Sequence, residues 1–150
     1  MQHMQHGYKH SSNSLKSTII MIILMILAGL FATMNIFADK LSDLRWSLND
    51  FYMAIFMVGW MMLFMGAYYR VMMHVWIGIG MIIVGGICIR MQLFITPGQY
   101  FTGMIPHHSM AVFMSRKLLE NYGGEMNKDK IELVANIIKT QNNEIEIFKQ

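Results

Sequence analysis

The sequence predicts an all-α protein with three transmembrane helices followed by a two-helix amphipathic C-terminal hairpin. Three long stretches, residues 18–38, 51–69 and 71–95, are almost free of charged residues. Apolar residues make up 55% of the chain and charged residues 14%, against about 45–50% and 25% in soluble globular domains. Charged residues return every few positions from Arg116 onward. No strand-like alternation or internal repeat occurs, so we expect no β-sheet.

The chain divides into three parts. Residues 1–17 are polar and rich in His, Ser and Gln, and we expect no stable structure there. Residues 18–95 form the membrane region, because about 20 apolar residues cross a bilayer. The first run has 21 residues without a charge. The apolar region of a signal peptide has about 7–15 residues, so the length of this run favours a membrane anchor. Residues 96–150 form the hairpin.

Local signals set the predicted element boundaries. Arg70 alone separates the second and third runs, which predicts a tight helical hairpin, and the third span is predicted to reach Ile95. Thr96, Pro97 and Gly98 end it, and a helix follows over about 99–121, with Pro106 as a kink or a new first turn. Gly123–Gly124 closes that helix. The last helix, about 128–148, has one apolar face by its 3.6-residue period. That face consists of Ile131, Val134, Ile138, Ile145 and Phe148.

Charge and composition exclude several functions. The net charge of +3 is spread out and no basic stripe carries interleaved aromatics, so we expect no nucleic-acid partner. No nucleophile–base set, phosphate loop or paired carboxylates occur, so we predict no enzyme activity. The single cysteine, Cys88, cannot form an intramolecular disulfide. The 18 methionines are either flexible core residues or thioether ligands suited to Cu(I).

The stretch "MIPHHSMAVFM" places imidazoles and thioethers together on one helix face. At about 100° per residue two Met and two His surround the small Ala111, with a further Met at the edge. These residues are Met104, His107, His108 and Met114, with Met110 at the edge. Sulfur and imidazole without carboxylate select Cu(I) or Ag(I) over Mg, Ca or Mn. The alternative is a structural role, in which the methionines are core and one histidine is buried and hydrogen-bonded.

Together with "IIKTQNNEI", this motif resembles the domain of unknown function 305 family. The resemblance implies a membrane-bound branch of a family whose soluble, CopM-like members are extracytoplasmic helical proteins that bind copper through Met and His. The motif positions it assigns are Met104, His107, His108, Met114, Gln141, Glu144 and Ile145. Phe101 and Phe148 depart from it, because family members often carry Met there.

Gln141 and Glu144 are predicted to support the site rather than to bind the metal. A metal-bound histidine usually donates its second N–H to a carboxylate or carbonyl oxygen. Gln141 lies at the rim of the apolar face that packs against the preceding helix. An ordinary solvated pair is the alternative.

The second span and the N-terminus offer two further candidate metal sites. The span carries a stripe of methionines four residues apart, namely Met53, Met57, Met61 and Met65. The stripe is either helix packing in lipid or a path for Cu(I), and it is similar to that of the trimeric Ctr-type copper permeases. Those permeases carry a Gly-x-x-x-Gly in the third span, which this chain lacks. Met1 with His3 offers nitrogens for square-planar Cu(II) or Ni(II).

These observations predict an integral membrane protein that binds Cu(I), or Ag(I), in copper sequestration or handover for metal tolerance. Its partners are the lipid bilayer and the metal ion. One alternative is an oligomeric Ctr-like permease, and another is a membrane scaffold without a metal role. The numbers of Lys and Arg residues near the spans are equal on the two sides, so they do not decide the orientation. The segment before the first span contains no acidic residue, which favours a cytoplasmic N-terminus and, after three spans, a C-terminus on the other side. The C-terminal tail is therefore predicted to be extracytoplasmic.

Overall fold

The part of the chain that the structure describes folds into five α-helices. The computed structural model describes residues 3–31 and 34–150, with side chains for 15–30 and 34–150. The helices are α1 His3–Phe31, α2 Leu48–Tyr68, α3 Met72–Met91, α4 Pro97–Tyr122 and α5 Lys128–Phe148. Three short 3-10 turns, Met34–Phe37, Leu41–Asp43 and Gly123–Glu125, lie in the connections. No strand occurs in the described residues, which confirms the all-α class.

Three helical stretches are long and apolar enough to cross a membrane, as the sequence predicts. They are Leu15–Phe37, Leu48–Tyr68 and Met72–Met91. α2 is the central one, because it packs closely along α3 and less extensively on α1. The helix α1 begins at His3, so the expectation of no stable structure in residues 1–17 is wrong from that residue on. Once the apolar stretch has nucleated a helix, extension adds one hydrogen bond per residue and is favourable even for polar residues.

Glycines let α2 and α3 approach closely. A Cβ added at Gly78 would lie 2.6 Å from the backbone nitrogen of Leu63 and 2.7 Å from the carbonyl oxygen of Gly59. The two helices join through Arg70, whose φ of 56° is left-handed, and the Val71 N–H donates to the Gly66 carbonyl at 2.9 Å. Arg70 therefore forms the tight turn that the sequence predicts.

The third apolar helix ends at Met91 rather than Ile95. Gln92 takes a left-handed conformation with φ 50°, and Phe94 follows with φ 58°. The Gln92 side chain donates to the carbonyl of Ile89 at 2.7 Å, and this bond satisfies a helix-end acceptor. The apolar character continues beyond the helix, so hydrophobicity alone places the boundary too late.

The α4–α5 hairpin closes over a small apolar core. α4 begins at Pro97, where the Thr96 side chain accepts the Gln99 N–H, and it continues through the buried Pro106. Gly123 keeps right-handed geometry, with φ −57°, and leads into a 3-10 turn instead of a left-handed cap. The core consists of Ile105, Val112 and Ile145, with Ile138 and Phe148 packed against it.

Candidate metal site

The structure divides the predicted His-Met face of α4 between two environments. His108 is buried, with 7% of its surface exposed, and it faces α5. His107 is exposed, and Met114 is 56% exposed. Met104 and Met110 are partly buried. The two imidazole rings remain neighbours, with centroids 6.0 Å apart, so buried and exposed donors meet along one edge of the helix.

Both ring nitrogens of His108 have acceptors. Nδ1 lies 2.8 Å from the carbonyl oxygen of Met104, and a carbonyl can only accept, so Nδ1 carries a proton. Nε2 lies 2.9 Å from Oε2 of Glu144. Through this contact the His108 ring ties α4 to α5.

Glu144 is itself oriented by α5. The Gln141 side-chain amide donates to Oε2 of Glu144 at 3.3 Å, and the Glu144 side chain is 38% exposed. The structure thus brings His108, Glu144 and Gln141 together, and a supporting role of Gln141 and Glu144 at a metal stays a prediction. The Met104 carbonyl accepts the Nδ1 N–H, and Glu144 faces Nε2, the nitrogen that a metal would use.

Two phenylalanines form a wall beside His108. The ring of Phe148 lies edge-on to His108 with centroids 5.1 Å apart, and Phe101 lies 5.3 Å from Phe148. These are the two positions at which the sequence departs from the family pattern. The side chains beside His108 are therefore apolar rings instead of thioethers that could supply soft donors. The more accessible thioethers of this helix are those of Met110 and Met114.

The methionine stripe of α2 lies on an open side of the helix. Met53, Met57 and Met61 are 47%, 43% and 50% exposed, and Met65 is partly exposed. Met62, which is not part of the stripe, is fully buried. Met57 reaches α1, since its Cε would lie 3.6 Å from a Cβ added at Gly29, whereas Met53 and Met61 are about half exposed.

The remaining predicted donors lie elsewhere. Met1 and the side chain of His3 fall outside the described residues, so the N-terminal site stays a prediction. Within the described part of the chain, no three His, Cys, Asp or Glu side chains come close enough together to hold a metal ion.

A buried polar network that the sequence did not reveal holds the hairpin against the α1–α2 connection. Asp43 is 2% exposed. Its Oδ2 accepts from the Ser109 hydroxyl at 2.7 Å, and its Oδ1 lies 2.8 Å from Nζ of Lys149. Ser109 in turn accepts the Asp39 N–H at 2.8 Å, and Asp39 pairs with Arg116 at 3.0 Å. Ser109 directly follows the two histidines, so this network fixes the rotation of α4 at the candidate site.

The network shifts two pKa values in the directions that stabilise the ion pair. Burial works to raise the pKa of Asp43, but hydrogen bonds from Lys149 and Ser109 outweigh it and leave the pKa below its ordinary value of 3.8. The hydrogen bond to Asp43 raises the pKa of Lys149 above 10.5, against a smaller opposing effect of burial. Both groups are therefore charged over a wide pH range.

We expect the docking of the hairpin to weaken in acid. A carboxyl group with a lowered folded-state pKa contributes stability above its unfolded-state pKa, and the contribution is lost as pH falls through the folded value. For Asp43 that loss begins below about pH 4. The check is the thermal midpoint of the protein and of an Asp43→Asn variant between about pH 7 and pH 3. A variant whose midpoint falls as steeply as that of the unmodified chain would contradict the assignment.

Comparison with known proteins places the chain in a family. The profile described as "Domain of unknown function (DUF305)" matches residues 97–150. An uncharacterised protein of Acanthamoeba polyphaga mimivirus is 40% identical over 134 residues, which cover 85% of each chain. Residues 97–150 of the chain belong to the DUF305 family. No solved structure matches it.

The DUF305 match corresponds to the α4–α5 hairpin, since it begins at Pro97, the first residue of α4. It therefore includes His107, His108, Gln141 and Glu144 and confirms the resemblance at the family level. The similarity to the mimivirus protein extends well beyond this region, into the apolar helices. The apolar helices and the α4–α5 hairpin thus occur together in a relative as well.

Proposed function

We propose that the chain is an integral membrane protein that binds Cu(I), or Ag(I), on the Met/His face of α4, in copper sequestration or handover. The observation that carries the proposal is the adjacency of an exposed His107 to the oriented His108, with Met110 and Met114 following on the same helix. Three helices that are apolar enough to cross a bilayer support membrane insertion next to this face.

The donor set fits a soft monovalent ion. His107, Met110 and Met114 follow one another at i, i+3 and i+7, the spacing of neighbours on one helix side. Imidazole and thioether donors suit Cu(I), whereas carboxylate and carbonyl donors suit hard cations. These three side chains, together with Met104 and His108, are the residues that would hold the ion.

His108 can bind the ion only if its contact with Glu144 is replaced. Its Nδ1 hydrogen bond to the Met104 carbonyl orients the ring, as an oxygen acceptor at the second ring nitrogen does for a metal-binding histidine. Its Nε2 lies 2.9 Å from Oε2 of Glu144, so an ion held through Nε2 would have to replace that contact.

Replacing both His107 and His108 by Ala should weaken Cu(I) binding at least about tenfold, or about 1.4 kcal/mol. The measurement is a competition titration of the purified full chain in detergent against a Cu(I) chelator. His74→Ala is the matched control, because His74 bonds to Thr18 between α1 and α3, away from α4. Full binding by the double variant would show that the ion is held elsewhere. No binding by the unmodified chain would favour the scaffold alternative.

We also propose that the hairpin faces the extracytoplasmic side. The α1–α2 connection contacts α4 through Asp39 and Ser109, which supports a common side for that connection and the tail. A cysteine introduced at the exposed Asn143, in a Cys88→Ser background, should react with a membrane-impermeant maleimide in intact cells. Labelling only after permeabilisation would place the tail in the cytoplasm.

A further inference from the structure

A groove lies between the end of α1 and the connection that leads to α2. Its volume is about 550 Å³, within the range of about 300–1,000 Å³ typical of small-molecule sites. Its lining residues are Leu30, Asn35, Ile36, Leu44, Arg45 and Trp46. Four of the six are apolar, and two of these, Ile36 and Trp46, are 71% and 59% exposed. The groove therefore offers an apolar wall with one cation at its edge.

Arg45 is held in place by its surroundings. The Asn35 side chain accepts the Arg45 N–H at 3.0 Å and donates to the Arg45 carbonyl at 2.8 Å. The guanidinium donates through Nη1 to the carbonyls of Ser42 at 3.1 Å and Leu44 at 2.7 Å. Both bonds use Nη1, so Nε and Nη2 keep donors in the fork that suits phosphate oxygens. A ligand would thus meet a guanidinium that is already ordered.

The loop around the groove has a positive balance. Its two acids are neutralised within the protein, since Asp39 pairs with Arg116 and Asp43 pairs with Lys149. Lys40 and Arg45 are both exposed. An anion approaching the groove therefore meets two cations without an opposing free carboxylate in the loop.

The groove also lies where two apolar stretches end. The first extends to Phe37 and the second begins at Leu48, so the lining residues of the connection fall at the level of lipid headgroups if these helices span a bilayer. Tryptophan is enriched at this level because one end of its ring system is apolar and the other polar. Trp46 beside Arg45 has this pattern.

We propose that the groove binds an anionic phospholipid of the surrounding bilayer. The phosphate is held by Arg45, and an acyl chain lies against Leu30, Ile36 and Trp46. A water-soluble anion would leave this apolar wall exposed to water. A zwitterionic lipid has no net negative charge, so it would be attracted less strongly by the positive loop. The proposal depends on the membrane placement in the proposed function and is independent of copper binding.

The test uses Trp46 as the reporter. The full chain, with Trp60→Phe and Trp76→Phe, is placed in vesicles that contain phosphatidylglycerol or phosphatidylcholine with brominated acyl chains. Bromine quenches a tryptophan that it contacts. We expect Trp46 to be quenched at about fivefold lower mole fraction of the anionic lipid, the effect of about one Arg at a membrane surface. Arg45→Gln should remove this preference, whereas Arg90→Gln, near the end of α3, should preserve it.

Each outcome decides a specific point. Equal quenching by the two lipids, or a preference that survives Arg45→Gln, would overturn the lipid site. Loss of the preference on adding inorganic phosphate would identify a site for free phosphate and would also overturn it. Absence of quenching by either lipid would instead contradict the membrane placement, which distinguishes that failure from a failure of the groove alone.

Discussion

Replacing Asp43 by Ala is expected to destabilise the docked α4–α5 hairpin by about 3 kcal/mol, the lower end of the effect of breaking a buried ion pair. The change leaves the fully buried Ser109 hydroxyl without its acceptor and removes the partner of Lys149. The effect stays at the lower end because Lys149 is 23% exposed and lies 3.4 Å from Glu146, so water and a second carboxylate still solvate its charge. The measurement is hydrogen exchange of α4 and α5 together with thermal unfolding in detergent.

Glu120→Gln is the matched control for this change. Glu120 pairs with Lys117 on the exposed side of α4, where both side chains are about half exposed, and such pairs contribute at most about 1 kcal/mol. A second variant, Lys149→Met, completes a double-mutant cycle with Asp43→Ala. If the two substitutions add independently, or if Asp43→Ala matches the control, Asp43 does not anchor the hairpin.

This anchor connects the apolar helices with the candidate site. Asp43 belongs to the connection between the first two apolar helices, whereas Ser109 lies one residue after His108. A movement of that connection would therefore act directly on the helix that carries His107 and His108. In the same region Glu144 bonds to His108, so polar contacts add to the small apolar core in joining α4 to α5.

Much of the fold follows from the hydrophobic periodicity of the sequence and from the residues that begin or end its helices. The last helix, Lys128–Phe148, and its apolar face were predicted because Val134, Ile138 and Ile145 recur with a 3.6-residue period. The end of α3 was placed too late because Leu93, Phe94 and Ile95 are apolar, although left-handed backbone at Gln92 and Phe94 ends the helix. Backbone conformation of this kind has little signature in hydrophobicity.

The candidate site was predictable only in part, for a similar reason. The pairing of two histidines and methionines is local in sequence, so helix geometry brings them together before any tertiary structure is known. The separation into a buried His108 and an exposed His107 depends on where α5 packs. The Asp43–Ser109–Lys149 network joins Asp43 to residues 66 and more positions away in the sequence. The one sign of it in the sequence was that the connection containing Asp43 is charged.

The glycines of α2 and α3 supply the second large expected effect. Gly78 lies so close to α2 that a Cβ there would be 2.6 Å from the Leu63 nitrogen, and the atoms it meets are backbone and cannot rotate away. Gly80, two residues further along the same helix, has nothing within 4 Å of such a Cβ, so it is a matched control.

Gly78→Ala should therefore destabilise the α2–α3 hairpin by about 1–3 kcal/mol, as overpacking does in a close-packed interior. Gly80→Ala should be neutral or stabilising, because Ala is about 0.5–1 kcal/mol more favourable than Gly in a helix. The measurement is unfolding of both variants in mixed micelles, followed by helix content. Separation of the helices by the new methyl group would also alter the neighbouring contact between Gly59 and Ile82. If Gly78→Ala is as stable as Gly80→Ala, then α2 and α3 do not cross at this glycine, and the close approach that defines the hairpin is wrong.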